Sequence, residues 1–233
     1  MEVADRGRNP RPARGARAQL TLAPSYAVLC AVQAGIVLAA RPPAVRGRAG
    51  LAGIVLPAAA LGIGIAVVRL AAGGPHALAL LGALGTPLLA AAGRRRLPLA
   101  AGLWLIAWLT PGLVREAAEI ALIALAAVTA AQLVSRLAPD WSIAAGLVLI
   151  AILDVVLVWA THDVQPATTA LHHVPLPAPR GHAIPALQDA TFGSATMGWL
   201  DLLAPALLGM IVRTRPRAAA ATGVAAGLFG LLL

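Results

Sequence analysis

The chain reads as an all-α, polytopic membrane bundle of about eight transmembrane helices, and three observations carry that reading. Of its 233 residues 60% are hydrophobic and only 12% are charged, whereas an average soluble domain is about a quarter charged. Apolar runs recur along the whole chain, most of them close to the roughly 20 residues that cross a bilayer core of about 30 Å. Most of the charge falls in the N-terminal tail and in the breaks between runs.

Residues 1–18, MEVADRGRNPRPARGARA, are rich in arginine and proline and are expected to form a disordered tail. The run from Leu20 to Ala40 is longer than the 7–15 apolar residues of a signal peptide, so it is expected to remain as the first span. Gln33 lies inside it and needs a donor or acceptor on a neighbouring helix. Residues 51–68 form the second span, closed by Arg69. Residues 74–92 form the third, opening at Gly74-Pro75-His76 and stopping at Arg94-Arg95-Arg96. The fourth, 97–114, carries Trp104 and Trp108, and Pro111 with Gly112 marks its end, since proline cannot continue a helical hydrogen-bond ladder. Arg115, Glu116 and Glu119 divide it from the fifth span, 117–135, and belong at the interface. The sixth and seventh spans are 142–160 and 194–212, and a last apolar stretch covers 218–233. These divide into the tail, a five-helix bundle over 19–136, and a second part over 137–233 that includes the connecting loop 161–193.

The net charge of +9 comes entirely from arginine, since the chain has no lysine. That usage, with the abundance of alanine, is associated with GC-rich bacterial genomes, and a bacterial plasma membrane is the expected location. Arginines scattered between spans favour contact with anionic headgroups. They do not form the single basic patch that nucleic-acid binding requires. Arginine occurs in loops of both sides, so the charge pattern leaves orientation open. Cys30 stands alone in an apolar run, which excludes a disulfide framework and a thiolate metal cluster. His162, Asp163, His172, His173 and His182 in the loop match no metal-binding spacing, so no metal and no cofactor are expected.

Two residues break the apolar pattern of the second part. Asp154 lies in GLVLIAILDVVLVWA and Asp201 in SATMGWLDLLAPALLGMIV. An acidic side chain at mid-membrane costs roughly 2.5–3.5 kcal/mol on insertion scales and invites a functional reading. Consecutive spans run antiparallel, and both aspartates fall about 10 Å in from the same face at 1.5 Å per residue. Two close carboxyls in a low-dielectric site share a proton. Such a pair can activate a water while donating to a carbonyl oxygen, which is aspartic-protease chemistry. Paired carboxyls also suit a proton-coupled transporter, and each aspartate alone can serve packing.

The sixth and seventh spans resemble the catalytic core of the presenilin and signal-peptide-peptidase group of intramembrane aspartyl proteases. That group carries Tyr-Asp in its sixth helix and Gly-x-Gly-Asp in its seventh, and small prokaryotic members follow the second aspartate with proline four residues on. Here the sixth span has Leu153-Asp154 and the seventh has Gly198-Trp199-Leu200-Asp201, followed by Pro205. The loop element Leu176-Pro177 is similar in character. The resemblance implies an aspartic endopeptidase acting on transmembrane peptide or protein substrates in the lipid bilayer. It assigns catalysis to Asp154 and Asp201 and substrate contact to Gly198, Trp199, Leu200 and Pro205. Leucine replaces the tyrosine at 153 and the second glycine at 200, so a catalytically inactive relative is an alternative.

Overall fold

The computed structural model describes residues 14–41, 74–92, 96–156, 184–185 and 187–212, with isolated helical positions in 55–70 and at 222–223. Among the described residues the chain is mostly helical. Its elements are α1 (Arg14–Ala39), α2 (Pro75–Ala91), α3 (Leu97–Leu109), α4 (Leu113–Leu137), α5 (Asp140–Val156), a hairpin of β1 (Asp189–Phe192) and β2 (Ala195–Gly198), and α6 (Trp199–Val212).

The arginine-rich tail is helical from Arg14, four residues before its expected end, because arginine and alanine are strong helix formers. Residues 1–13 lie outside the described part, as do most of the second span and nearly all of the last stretch. The third span appears as α2, with Pro75 in its first turn, where a missing N–H costs nothing. The fourth stops at Leu109 rather than at 114. Pro111 disfavours helical backbone at Thr110, and Gly112 takes a φ of +68°, a left-handed region that glycine enters without strain. The fifth is longer than expected: α4 runs 25 residues and begins at Leu113.

Helix α4 is the axis of the assembly. It packs against α2, α3, α6 and β1, while α6 also packs on α1 and α5. Its buried face includes Leu122, Ile123, Ala126, Ala127 and Ala131. Among the described residues α4 is the one helix long and apolar enough to cross a membrane, with a mean hydropathy of 2.0. The apolar helical stretches of α1, α2, α3, α5 and α6 are each shorter than 18 residues.

Side-chain bonds fix the helix directions. The hairpin turn touches Ser25 of α1 and Glu116 of α4, and sixteen residues further along the chain in each case Gln132 Nε2 of α4 donates to the carbonyl of Arg41, just past the end of α1. Thus α1 and α4 run parallel and in step. Helix α6 follows α1 in the same sense, since Asp201 meets Gln33 and Gly209 meets Val37 and Ala40. The short Thr110–Gly112 link sends α3 antiparallel to α4.

Gly209 sets the α1–α6 distance. A Cβ there would lie 2.6 Å from the Val37 carbonyl oxygen and 2.7 Å from Ala40 Cβ, so the two helices touch almost backbone to backbone, as small residues allow. Gly209→Ala is expected to destabilise the chain by about 1–3 kcal/mol through overpacking. Gly35→Ala, where an added Cβ meets nothing within 4 Å, is the control without a clash and should stabilise by up to about 1 kcal/mol through helix propensity. Thermal unfolding of both variants in one detergent checks this.

Candidate functional site

The hairpin decides where the candidate residues sit. β1 and β2 are antiparallel, with Asp189 opposite Gly198 and Phe192 opposite Ala195. The turn is Gly193-Ser194, and Gly193 has a φ of +59°, a backbone conformation suited to tight hairpins. Glu116 Oε2 accepts from the Gly193 N–H at 2.7 Å, and Ser25 Oγ accepts from the Ser194 N–H at 3.3 Å. At the open end of the hairpin, Thr86 Oγ1 donates to the Leu187 carbonyl at 3.2 Å. A Cβ on Gly82 of α2 would lie 2.8 Å from the Gln188 nitrogen, so glycine is what lets this segment cross α2. Arg115 holds Glu119 at 2.8 Å and donates to the Ile184 carbonyl at 3.2 Å. Leu187, Ala190, Ala195 and Met197 are buried. The hairpin is therefore inserted between α1 and α4, with β2 also against α6 and the approach at Leu187 and Gln188 crossing α2.

This corrects two sequence expectations. Residues 189–192 of the expected irregular loop form a strand, and the expected seventh span 194–212 is a strand followed by a helix that starts at Trp199. Alternation in ATMG gives buried Ala195 and Met197, a period-two pattern that is masked in the sequence by the apolar run downstream.

Asp201 consequently lies in the first turn of α6. Its side chain is exposed, and Oδ2 accepts from the Gly198 N–H at 2.9 Å. With Gly198 just before the helix and Asp201 its third residue, this bond is one half of a capping box. A carboxylate here also meets the positive end of the helix dipole. Gly198 leaves room for that carboxylate, since a Cβ on it would lie 3.2 Å from Oδ2. Trp199 and Leu200 are half-buried beside it, and Pro205 is buried inside α6.

Pro205 has a second consequence. It stands four residues after Asp201 and has no N–H, so the Asp201 carbonyl loses its helical donor. Gln33 supplies the replacement: its Nε2 donates to the Asp201 carbonyl at 3.1 Å and also lies 3.0 Å from Met197 Sδ. The expectation that a neighbouring helix satisfies Gln33 is met for its Nε2, while its buried Oε1 has no hydrogen-bond partner among the described residues. Ser25 and Gln33 are eight residues apart, so Asp201 sits about 12 Å along α1 from the hairpin turn.

Asp154 lies in α5, two residues before its last described residue, and its side chain is outside the described residues. α5 and α6 pack against each other, so the structure joins the two helices that carry the aspartates. The loop histidines and Asp163 also lie outside the described residues. Among the described residues no group of three or more His, Cys, Asp or Glu side chains could hold a metal.

Sequence reasoning missed Ser25, Thr86 and the hairpin role of Glu116. The Gln33–Asp201 contact had a signal in the sequence: proline four residues after Asp201 leaves a carbonyl that needs an outside donor. Comparison with family models, curated proteins and solved structures finds no match to this chain.

Proposed function

We propose that the chain is an integral membrane protein of about eight spans that hydrolyses peptide bonds of transmembrane substrates with Asp154 and Asp201. The observation that carries the reading is the packing of α5 on α6, with Asp201 at an exposed helix start. Bilayer placement is supported by the surface of α2. Leu81, Leu84 and Leu88 are 71%, 65% and 71% exposed, while Ala79, Ala83 and Ala90 are buried. Large apolar groups outside and small ones at helix contacts suit a lipid solvent, whereas such a stripe in water invites association. The parallel course of α1, α4 and α6 agrees with their places as odd-numbered spans.

In this reading one carboxyl takes a proton from water and the other donates to the scissile carbonyl oxygen. The substrate helix must unwind locally, because helical carbonyls are already bonded. Gly198, Trp199, Leu200 and Pro205 border Asp201 and would contact the unwound segment. The test is cleavage of a transmembrane reporter peptide in proteoliposomes. Asp154→Ala and Asp201→Ala should each abolish cleavage in protein that remains folded, and full activity in either would sink the dyad.

A second reading rests on the 2.9 Å bond from the Gly198 N–H: Asp201 serves as a helix cap only, in a catalytically inactive protein. A proton-coupled transporter using the same carboxyls predicts instead that both variants lose proton flux.

A further inference from the structure

A groove of about 550 Å³ runs between α1 and α4. Its walls are apolar, with Val28, Val32 and Ile36 on α1 facing Ala121, Ala124 and Val128 on α4; Phe192 of the hairpin lies at one end and Arg96 at the other. Val28 to Ala39 span about 16 Å along α1, which is roughly half of a 30 Å hydrocarbon core. That is the depth of one leaflet. Gly35 lines the groove, and a Cβ on it would meet open space.

Arg96 gives the groove its polarity. Its Nη1 donates to Thr129 Oγ1 at 3.1 Å, and Thr129 in turn donates to the Leu125 carbonyl, so the guanidinium is pinned on the rim of α4. Guanidinium has five N–H donors, and among the described residues Thr129 is its hydrogen-bond partner. Arg41 and Arg136 lie exposed at the same end of the bundle, so this rim attracts anionic headgroups.

We propose that this groove holds one acyl chain of an anionic phospholipid, with the phosphate on Arg96. A planar fork of N–H groups matches phosphate oxygens in pairs, and the apolar walls take the chain. The inference rests on the bilayer placement argued above, not on the aspartate pair.

Native mass spectrometry of the full chain, released from detergent and titrated with phosphatidylglycerol or phosphatidylcholine of identical chains, tests it. One phosphatidylglycerol should be retained at least tenfold more tightly than phosphatidylcholine. Arg96→Gln should remove that preference, Arg96→Lys should keep part of it, and Arg136→Gln, on the rim but off the groove, should keep most of it. Gly35→Phe should weaken both lipids about tenfold by filling the groove; should that variant fail to fold, the Arg96 pair alone decides. Asp154→Ala and Asp201→Ala should bind lipid normally, which separates this result from failure of the protease reading. An unchanged preference in Arg96→Gln would overturn the proposal. So would equal retention of glycerol phosphate without chains, or a Gly35→Phe protein that binds lipid normally but no longer cleaves the reporter, which would give the groove to a substrate helix.

Discussion

Asp201→Asn is expected to lower reporter cleavage by roughly 10²–10⁴-fold, the range of general acid–base contributions, while leaving the start of α6 intact. The amide oxygen can still accept from the Gly198 N–H, so the hydrogen bond seen at 2.9 Å survives. What it loses is the proton that a dyad must exchange. Asp201→Ala removes both and should in addition cost about 1 kcal/mol, the typical loss on deleting a capping acceptor. The two variants together separate chemistry from capping. Both inactive, with only the alanine variant less stable, is the expected result. An active asparagine variant would leave Asp201 with the cap alone. Cleavage rates and thermal unfolding measured on the same preparations decide it.

The second large effect concerns the carbonyl of that same residue. Gln33 is 6% exposed, and its Nε2 stands in for the N–H that Pro205 lacks. Gln33→Leu strands the part-buried Asp201 carbonyl and should destabilise the chain by about 1 kcal/mol, the net worth of a typical hydrogen bond. Pro205→Ala restores a helical donor within α6. In the Gln33→Leu background it should recover most of the loss, whereas in the native background it should do little for this bond. A double-mutant cycle on thermal stability measures the coupling directly. Additive effects would show that Gln33 and Pro205 act independently, contrary to the arrangement described. Because the two changes meet at the backbone of Asp201, the same cycle on reporter cleavage reports whether carbonyl pairing also positions the carboxyl.

The sequence was most informative where a single local rule acts. Pro111 and Gly112 end a helix wherever they stand, and Arg115, Glu116 and Glu119 mark the head of the central one. The hairpin was not legible in the same way. ATMGWLDLLAP continues a run of apolar and small residues, and composition assigns all of it to one span. Its first four residues leave the helix because Glu116, Ser25 and Thr86, between 77 and 169 residues distant along the chain, bind the turn and the approach to it. No window of local sequence contains those partners.

By itself, then, the sequence determined that this is a mostly helical chain with very little charge, where its helix-breaking prolines fall, and that Asp154 and Asp201 occupy neighbouring apolar segments. Hydropathy and proline chemistry suffice for that, because both act through the residue and its immediate neighbours. Only the tertiary structure decided that Asp201 stands at the first turn of a helix rather than within one, that Gln33 completes its backbone, and that α1 and α4 part to leave a groove ending at Arg96. Those outcomes depend on which side chains reach across from other helices, and that is fixed by packing.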